Sequence, residues 1–510
     1  MPDNAANYLK CKNYICFFYF GIIIDSFDYQ RPLGCLRSDP AVKSIFILKC
    51  LLGYESIRED RTYMSKPESI TLEHLALINK YITVRQKTLD LCVPLEIEDM
   101  VVQPASFVSP PKWHLAHTTW FFVTFVFHRF GVDYAWPDKY FPQLFNSYYK
   151  SQGQHWVQGD RGNLSRPTVK QIQTLRQEVD EVMISWLERF NGDIPSEIQT
   201  VVRLGLEHEQ QHQELLMMDI KYILWCNPSK PAYLPSTSIH RGSVLSNPGQ
   251  KAYENENWSS DGGLQQFGVG LPSADFCFDN ETPQHNAYLQ PYSIAHRTVS
   301  NAEFSEFIAD GGYQEPSFWL SEGWDYIQKD NINAPLYWRS EEGDGKDRWQ
   351  EYTLNGMEEV RGDVPVSHIS FHEAYAYARW ANKRLPTEFE WEHFAKHNPS
   401  CKSASIRETT ELFLENNLAQ AYYPEHAEGF VNVNGGLWEW TSSTYAPYPG
   451  YRSEKGAFGE YNGKFMINQV VLRGGCFATP RAHYRMSYRN FYQAHQRWAF
   501  TGLRLVEEKV

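Results

Sequence analysis

The run Glu207-His208-Glu209-Gln210-Gln211-His212-Gln213-Glu214 lies inside a stretch from Ile198 to Trp225 that reads as one helix, and its reading decides the fold. Residues i and i+4 of an α-helix stand one above the other on the same face, so His208 and His212 can aim their imidazoles at one point. That is half of a metal site. Helical spacing alone produces such pairs often, and two solvated histidines on a polar face are the bland alternative. The same letters satisfy the HExxH expression of zinc metalloproteases, in which the Glu, here Glu209, is the general base. Such a site takes its third ligand from downstream. Here Leu215 to Trp225 is apolar apart from Asp219 and Lys221, and the next histidine is His240. Upstream, His114 and His117 stand on a second apolar helix. They are three residues apart and face roughly the same side, so spacing leaves either as the third ligand. Three neutral imidazoles on one face of a metal leave up to three positions open, which suits Fe(II) holding two substrates and dioxygen, whereas zinc with three His and one water suits hydrolysis. The residue types leave both metals open.

Outward from this run, three more helices are expected upstream. Ser69 to Leu91 repeats apolar residues at spacings of three and four (Leu72, Leu75, Leu77, Ile78, Tyr81, Ile82). Lys112 to Phe130 is strongly apolar and is opened by Pro110 and Pro111, which a helix start tolerates. Its third histidine, His128, lies about three turns beyond His117, too far to share a site. Pro167-Thr168 begins a helix that runs to about Phe190. Four helices close together predict a bundle whose interior can hold a metal. The loop from about Val132 to Ser165 is longer than loops without function usually are. From Pro228 to Gly263, Pro, Ser, Gly and Asn mark a boundary, and beyond it short strands, aromatics and turn residues predict an α+β domain with helices at Asn301–Ala309 and Phe371–Asn382. The expected limits are an extension over 1–65, a bundle over 66–228, a linker over 229–262 and a second domain over 263–510. The extension has apolar bursts without period and four of the nine cysteines, and reads as disordered or as a gene-model artefact with Met64 as the biological start.

Composition narrows the function. A 510-residue chain needs two or three cores, and 42% hydrophobic with 21% charged residues is the balance of a soluble globular protein. The net charge of -13 argues against nucleic acid or an anionic membrane as partner, which leaves small molecules. The nine cysteines are odd in number and form no CxxC pair, which fits a reducing cytoplasm. Tyr14 to Ile24 is apolar but short for a membrane span, which needs about 20 residues.

Specific motifs add a resemblance. Ser109-Pro110-Pro111-Lys112-Trp113-His114-Leu115-Ala116-His117, with the run from His208 to Glu214, resembles the DinB-like bundle of the ergothioneine-type sulfoxide synthases, the iron-dependent EgtB-type hercynine oxygenases. Downstream, Glu281-Thr282-Pro283-Gln284-His285, Val299-Ser300-Asn301-Ala302-Glu303-Phe304, Lys383-Arg384-Leu385-Pro386-Thr387-Glu388-Phe389-Glu390-Trp391-Glu392, Leu437-Trp438-Glu439-Trp440-Thr441-Ser442-Ser443 and Leu472-Arg473-Gly474-Gly475 look like the formylglycine-generating-enzyme, or sulfatase-modifying-factor, fold. The resemblance implies a multidomain chain: an all-α DinB-like four-helix bundle followed by an α+β, C-type-lectin-like formylglycine-generating-enzyme domain. It implies Fe(II) and O2 joining a thiol, cysteine or γ-glutamylcysteine, to the imidazole C2 of hercynine (Nα-trimethylhistidine), with histidine in place of hercynine in ovothiol-type relatives.

By motif position the resemblance makes His117, His208 and His212 the metal ligands and leaves His114 outside. Gln211 resembles the residue that orients the histidine-derived substrate, and Asn490 and Phe491 resemble a loop that receives it, where an aromatic ring near a trimethylammonium group contributes about 0.5–2 kcal/mol. Packing is the plain alternative for Phe491. Tyr148 and Tyr149 match a tyrosine pair of one subgroup, which makes one of them the expected catalytic donor of a proton or hydrogen, with Tyr451 or Tyr461 of the second domain as the fallback. Arg161 resembles an arginine that binds a carboxylate of the thiol substrate, Arg166 being a second candidate, and a surface ion pair is the plain alternative for each. Members that use γ-glutamylcysteine follow the Asn with Trp-Asp and a paired Arg. This chain reads Phe491-Tyr492-Gln493-Ala494-His495-Gln496-Arg497, which favours free cysteine. Cys476 stands alone where copper-dependent members of the second fold need a close cysteine pair, so formylglycine generation is not expected. No methyltransferase domain follows, so hercynine is expected to come from another enzyme.

Overall fold

The computed structural model describes residues 71–234, 257–273, 275–341, 348–398, 414, 434–453 and 456–508, so the extension, Met64 and much of the expected linker lie outside the described residues. Helix α1 (Leu72–Asp90) starts where the Thr71 side chain accepts from the His74 N–H, and it buries Leu77, Ile78, Tyr81 and Val84. Helix α2 (Pro111–Phe122) opens on a proline at a position whose N–H has no intrahelical partner anyway. It continues through a widened turn, Val123–Phe127, into His128–Phe130 and stops at Gly131, whose φ of 68° breaks the helix. All twelve residues of α2 are buried, the polar Lys112, His114, His117, Thr118 and Thr119 included. Helix α3 (Val169–Leu187) begins with a reciprocal cap in which Thr168 and Gln171 satisfy each other's backbone.

Helix α4 (Ser196–Cys226) organises the rest. At 100° per residue, His208, His212 and Asp219 fall on one side, Glu209, Gln213, Leu216 and Ile220 on a second, and Glu207, Gln211, Glu214, Met218 and Lys221 on a third. The second face meets α1, where Gln213 Nε2 donates to the Val84 carbonyl at 2.9 Å. The third carries polar groups through nearly four turns yet is buried or half-buried, because the second domain packs on it. Trp438 Nε1 donates to Glu214 at 2.8 Å, Tyr488 Oη accepts from Gln211 at 3.2 Å, and Lys221 Nζ lies 2.8 Å from His368 Nε2. One helix therefore carries His208 and His212 on one face and provides the seat of the second domain on another.

The second domain is built of short sheets and four helices among the described residues. Strands β1 (Asn257–Ser260), β4 (Tyr292–Ala295) and β12 (Val506–Glu508) form one sheet in the order β1-β4-β12. Strands β8 (Trp438–Thr444), β9 (Val470–Arg473), β10 (Asn490–Tyr492) and β11 (Thr501–Gly502) form a second in the order β10-β9-β8-β11, in which Asn490 pairs with Leu472. A hairpin of β2 (Gly263–Phe267) and β3 (His285–Leu289) and a meander of β5 (Trp338–Glu341), β6 (Arg348–Thr353) and β7 (Gly356–Glu359) complete the set. The helices are α5 (Asn301–Ala309), α6 (Ser321–Lys329), α7 (Phe371–Trp380) and α8 (Glu388–His397). The expected α5 is present with the same bounds, and α7 ends two residues before the expected Asn382, which takes a left-handed φ of 53°. Helices α6 and α8 were not expected from periodicity. In α8 the sign was a capping box, Thr387 with Glu390, and α6 has no side-chain cap and buries only Gly323 and Ile327. Strand β1 falls within the stretch expected as linker and pairs with β4. Among the described residues no helix is long and apolar enough to cross a membrane.

Candidate metal centre

Helix α4 supplies His208 and His212 and helix α2 supplies His117, and one ring nitrogen from each of the three lies within 4.8 Å of the others. The surroundings decide which nitrogen is free. His117 Nδ1 is 2.6 Å from the Phe145 carbonyl, an acceptor only, so Nδ1 carries the hydrogen and Nε2 keeps its lone pair. His212 Nδ1 is 2.9 Å from His114 Nδ1, and His114 Nε2 is 3.0 Å from Asp219 Oδ2. The Asp219 carboxylate takes the His114 Nε2 hydrogen. His114 Nδ1 must then accept, His212 Nδ1 must donate, and His212 Nε2 is left with its lone pair. Asp219 itself is held by the Ser109 N–H at 2.8 Å and Trp498 Nε1 at 3.1 Å. His208 keeps a buried Nδ1 without a hydrogen-bond partner and packs face to face on Phe121, ring centroids 4.7 Å apart.

Burial keeps these rings neutral. Desolvation, with His208 beside it, holds His117 well below the usual histidine range, and desolvation with His208 and His117 does the same to His212. Burial pushes His208 down to about 3. Three desolvated, uncharged imidazoles with converging nitrogens, two of them held in one tautomer from behind, are a donor set that fits a divalent transition metal. It is His117 whose ring nitrogen converges with those of His208 and His212, while His114 sits behind His212 as its hydrogen-bond partner. Spacing could not separate the two, because His114 and His117 share a face of α2, and the difference comes from Asp219 on α4 and the Phe145 carbonyl.

Glu209 points away from this cluster. It is fully buried, its Oε2 accepts from Arg85 at 2.9 Å, and its Oε1 accepts from Thr88 at 2.6 Å and from Arg176. A base that activates a metal-bound water cannot be locked in a salt-bridge network on another face of its helix, and the metalloprotease reading of HExxH fails on this geometry.

Around the three histidines the remaining candidates divide. Gln211 is in place at the domain seam: its Oε1 accepts from Tyr461 Oη at 2.5 Å and its Nε2 donates to Tyr488 Oη. Among the described tyrosines, Tyr461 has the ring contact with the cluster, 5.8 Å from the His208 centroid. Tyr148 and Tyr149 stack on each other at 4.7 Å, with Tyr149 against Trp120, which itself stacks on His117. Burial pushes Tyr148 up to about 12 and holds Tyr149 and Tyr461 well above the tyrosine range, so all three keep their protons. Tyr451, the other fallback, donates to Asp279 at 2.8 Å.

Arg161 is buried with its guanidinium 3.3 Å above the Trp113 ring, and Trp113 stacks on His117 at 4.5 Å. Nη1 donates to Ser109 at 2.7 Å, Nε has no partner, and among the described residues no carboxylate lies within ion-pair distance. Burial lowers its pKa to about 9, offset only in part by Asp219. Arg166 is exposed and donates to its neighbour's carbonyl, Ser165, at 3.0 Å. Phe491 stacks on Tyr445 at 4.0 Å and meets Phe465, which reaches Tyr148, while Asn490 Oδ1 accepts from the Phe491 N–H at 2.9 Å. Neither makes a ring or hydrogen-bond contact with the three histidines. Sequence reading missed Asp219, although it lies seven residues after His212 on the same helix face. It also missed Tyr488, His483 and Glu207, which lie behind Gln211; no spacing marks the first two.

Comparison with known proteins agrees with this architecture. Residues 243–509 match the sulfatase-modifying factor enzyme 1-like domain family and residues 80–216 the DinB superfamily. The chain is 34% identical over 255 residues to a hercynine oxygenase of Mycobacterium tuberculosis, covering 47% of this chain and 58% of that protein. It is 31% identical over 318 residues to a hercynine oxygenase of Mycolicibacterium smegmatis, covering 59% and 70%. A formylglycine-generating enzyme of Streptomyces coelicolor is 28% identical over 250 residues, covering 41% and 74%. The matched part thus spans little more than half of the first relative's length.

Proposed function

The chain belongs to the hercynine oxygenase family, and from that premise we propose that it is a non-haem Fe(II)- and O2-dependent sulfoxide synthase that joins a thiol to C2 of the hercynine imidazole in ergothioneine biosynthesis. The observation that carries the reading is the set of three neutral imidazoles, His117, His208 and His212, with Glu209 turned away from it. His117, His208 and His212 would hold Fe(II), which would supply the redox chemistry with dioxygen and bring the thiol and the imidazole substrate together.

The protein's own groups take the remaining tasks. Gln211 orients the imidazole substrate, and Asn490 and Phe491 of the second domain help to receive it. Arg161 binds the carboxylate of the thiol substrate: a buried guanidinium without a carboxylate partner is costly, and an incoming anion offsets that cost. Arg166, exposed and bonded to the Ser165 carbonyl, is the second candidate for that carboxylate. Tyr461, whose ring meets His208, is favoured as the proton donor over the stacked pair Tyr148 and Tyr149. Cysteine is the favoured thiol donor. Arg497, which stands in the loop where relatives using γ-glutamylcysteine carry their extra polar pair, is engaged with Glu373 at 3.0 Å and the Ala334 carbonyl. Cytoplasmic location fits the free Cys92, Cys226, Cys277 and Cys476.

Anaerobic reconstitution with Fe(II) followed by oxygen-electrode measurements tests the assignment: uptake should require both hercynine and a thiol. Oxygen consumption indifferent to hercynine would refute it. Mass spectrometry of the product with cysteine and γ-glutamylcysteine competing, and with histidine offered against hercynine, identifies the two substrates.

A further inference from the structure

From Gln211 a chain of hydrogen bonds leads away from the histidines to the protein surface. Tyr461 Oη and Gln211 Oε1 are 2.5 Å apart, Gln211 Nε2 and Tyr488 Oη 3.2 Å, Tyr488 Oη and His483 Nε2 3.1 Å, and His483 Nδ1 and Glu207 Oε2 2.8 Å. At the outer end Glu207 is held by Lys80 at 2.9 Å and by Arg485 at 3.5 Å. Beyond it opens a surface cavity of about 420 Å³ lined by Lys80, Arg203, Glu207 and Arg485 among others.

The direction of every bond follows from that end. A carboxylate paired with two cations can only accept, so His483 Nδ1 carries the hydrogen. His483 is 1% exposed, and a neutral imidazole has one hydrogen, so its Nε2 accepts from Tyr488. The single hydrogen of Tyr488 is then committed, and toward Gln211 the hydroxyl can only accept. Gln211 must therefore present its NH2 to Tyr488 and its carbonyl to Tyr461, and the Tyr461 hydrogen must lie on Gln211 Oε1. A reversed amide would set two acceptors against each other at Tyr488. An amide does not pass protons on as a hydroxyl or imidazole does, so the chain fixes geometry and does not conduct protons between the cluster and Glu207.

We propose that Glu207 and His483, acting through Tyr488, are positioning residues that fix which way round the Gln211 amide sits and so hold the hydroxyl of Tyr461, whose ring lies against His208, on the Gln211 carbonyl. With the amide pinned, one Nε2 hydrogen of Gln211 is left over for an acceptor on the bound imidazole substrate, and the lone pairs of Tyr461 stay free of Gln211. The inference rests on the proposed function in taking Gln211 and Tyr461 to border the imidazole subsite. It assigns no part to the thiol side of the site, and that separation makes it testable.

Three variants of the full chain, loaded with Fe(II), test it: His483→Leu removes the link, Tyr488→Phe removes it without changing shape, and His483→Gln can still accept from Tyr488 and donate to Glu207. Binding of hercynine under anaerobic conditions is read by calorimetry, and KM for each substrate by oxygen uptake. His483→Leu and Tyr488→Phe should weaken hercynine about tenfold, leave the KM for the thiol unchanged, and show no further loss when combined, while His483→Gln should recover to within about threefold of wild type. Should His483→Leu fail to fold, Tyr488→Phe carries the same comparison. Unchanged hercynine affinity in Tyr488→Phe, equal weakening of both substrates, or a His483→Gln no better than His483→Leu would overturn the inference while leaving the function standing. Wild-type protein that neither binds hercynine nor consumes oxygen with it would overturn the function on which the inference rests.

Discussion

Glu209→Gln separates the two chemistries that the HExxH letters allow. Glu209 is 0% exposed, and its carboxylate faces Arg85, Arg176 and Thr88. Arg85 has a second carboxylate in Asp180, at 2.6 Å, but among the described residues Arg176 has none within ion-pair distance besides Glu209. Neutralising Glu209 therefore leaves one buried guanidinium uncompensated. Breaking a buried pair costs about 3–5 kcal/mol, and glutamine keeps an acceptor oxygen in place, so the loss should fall at the lower end, about 3 kcal/mol. The unit from Ile70 to Val510 has roughly 440 residues, and at about 2.1 cal/mol/K per residue its unfolding entropy is about 0.9 kcal/mol/K, which converts that loss into a fall in Tm of about 3 °C. The assay pairs scanning calorimetry with oxygen uptake normalised to folded, iron-loaded protein. Tm should fall by that amount with kcat within about threefold of wild type. A hundredfold fall in kcat at unchanged Tm would show Glu209 acting as a base and refute the reasoning.

Other outcomes follow from the same geometry. His117→Ala, His208→Ala and His212→Ala should each abolish iron retention measured by elemental analysis, whereas His114→Ala, which removes only the acceptor behind His212, should weaken it by about 10–100-fold. Arg161→Met should raise the KM for the thiol by about 10–100-fold with little change for hercynine, since a charge-assisted hydrogen bond contributes about 1.5–3 kcal/mol. Glu460 accepts from the Lys150 and Ser151 N–H groups at 2.9 and 3.0 Å and so ties the segment after Tyr149 to the second domain. Burial alone would raise its pKa, but these bonds and Lys464 hold it at about 2 against an ordinary 4.5. The folded pKa is the lower one, so its stabilising contribution is present above about 4.5 and is lost as pH falls towards 2. Glu460→Gln should flatten the urea midpoint against pH in that window, and an unchanged profile would remove Glu460 from the account.

Local pattern alone reached the bundle. The helices over Leu72–Asp90, Pro111–Phe122, Val169–Leu187 and Ser196–Cys226 are written in apolar periods, prolines at helix starts and a Thr168 cap, and i, i+4 spacing placed His208 and His212 together because helix geometry is local. Ordered motifs across both parts determined the family. What the sequence by itself left open is whatever depends on a partner distant along the chain. His114 and His117 share a helix face, and the choice between them comes from Asp219 and the Phe145 carbonyl, brought in from another helix and a loop. Glu209 reads as a base in one dimension and is a buried counter-ion in three, because Arg85 and Arg176 arrive from α1 and α3. Gln211 gains a fixed orientation only from Tyr461, Tyr488 and His483, about 250 residues or more away. Hydrogen-bond direction and the charge on a buried group are set by all the neighbours at once, and only the folded chain brings those neighbours together.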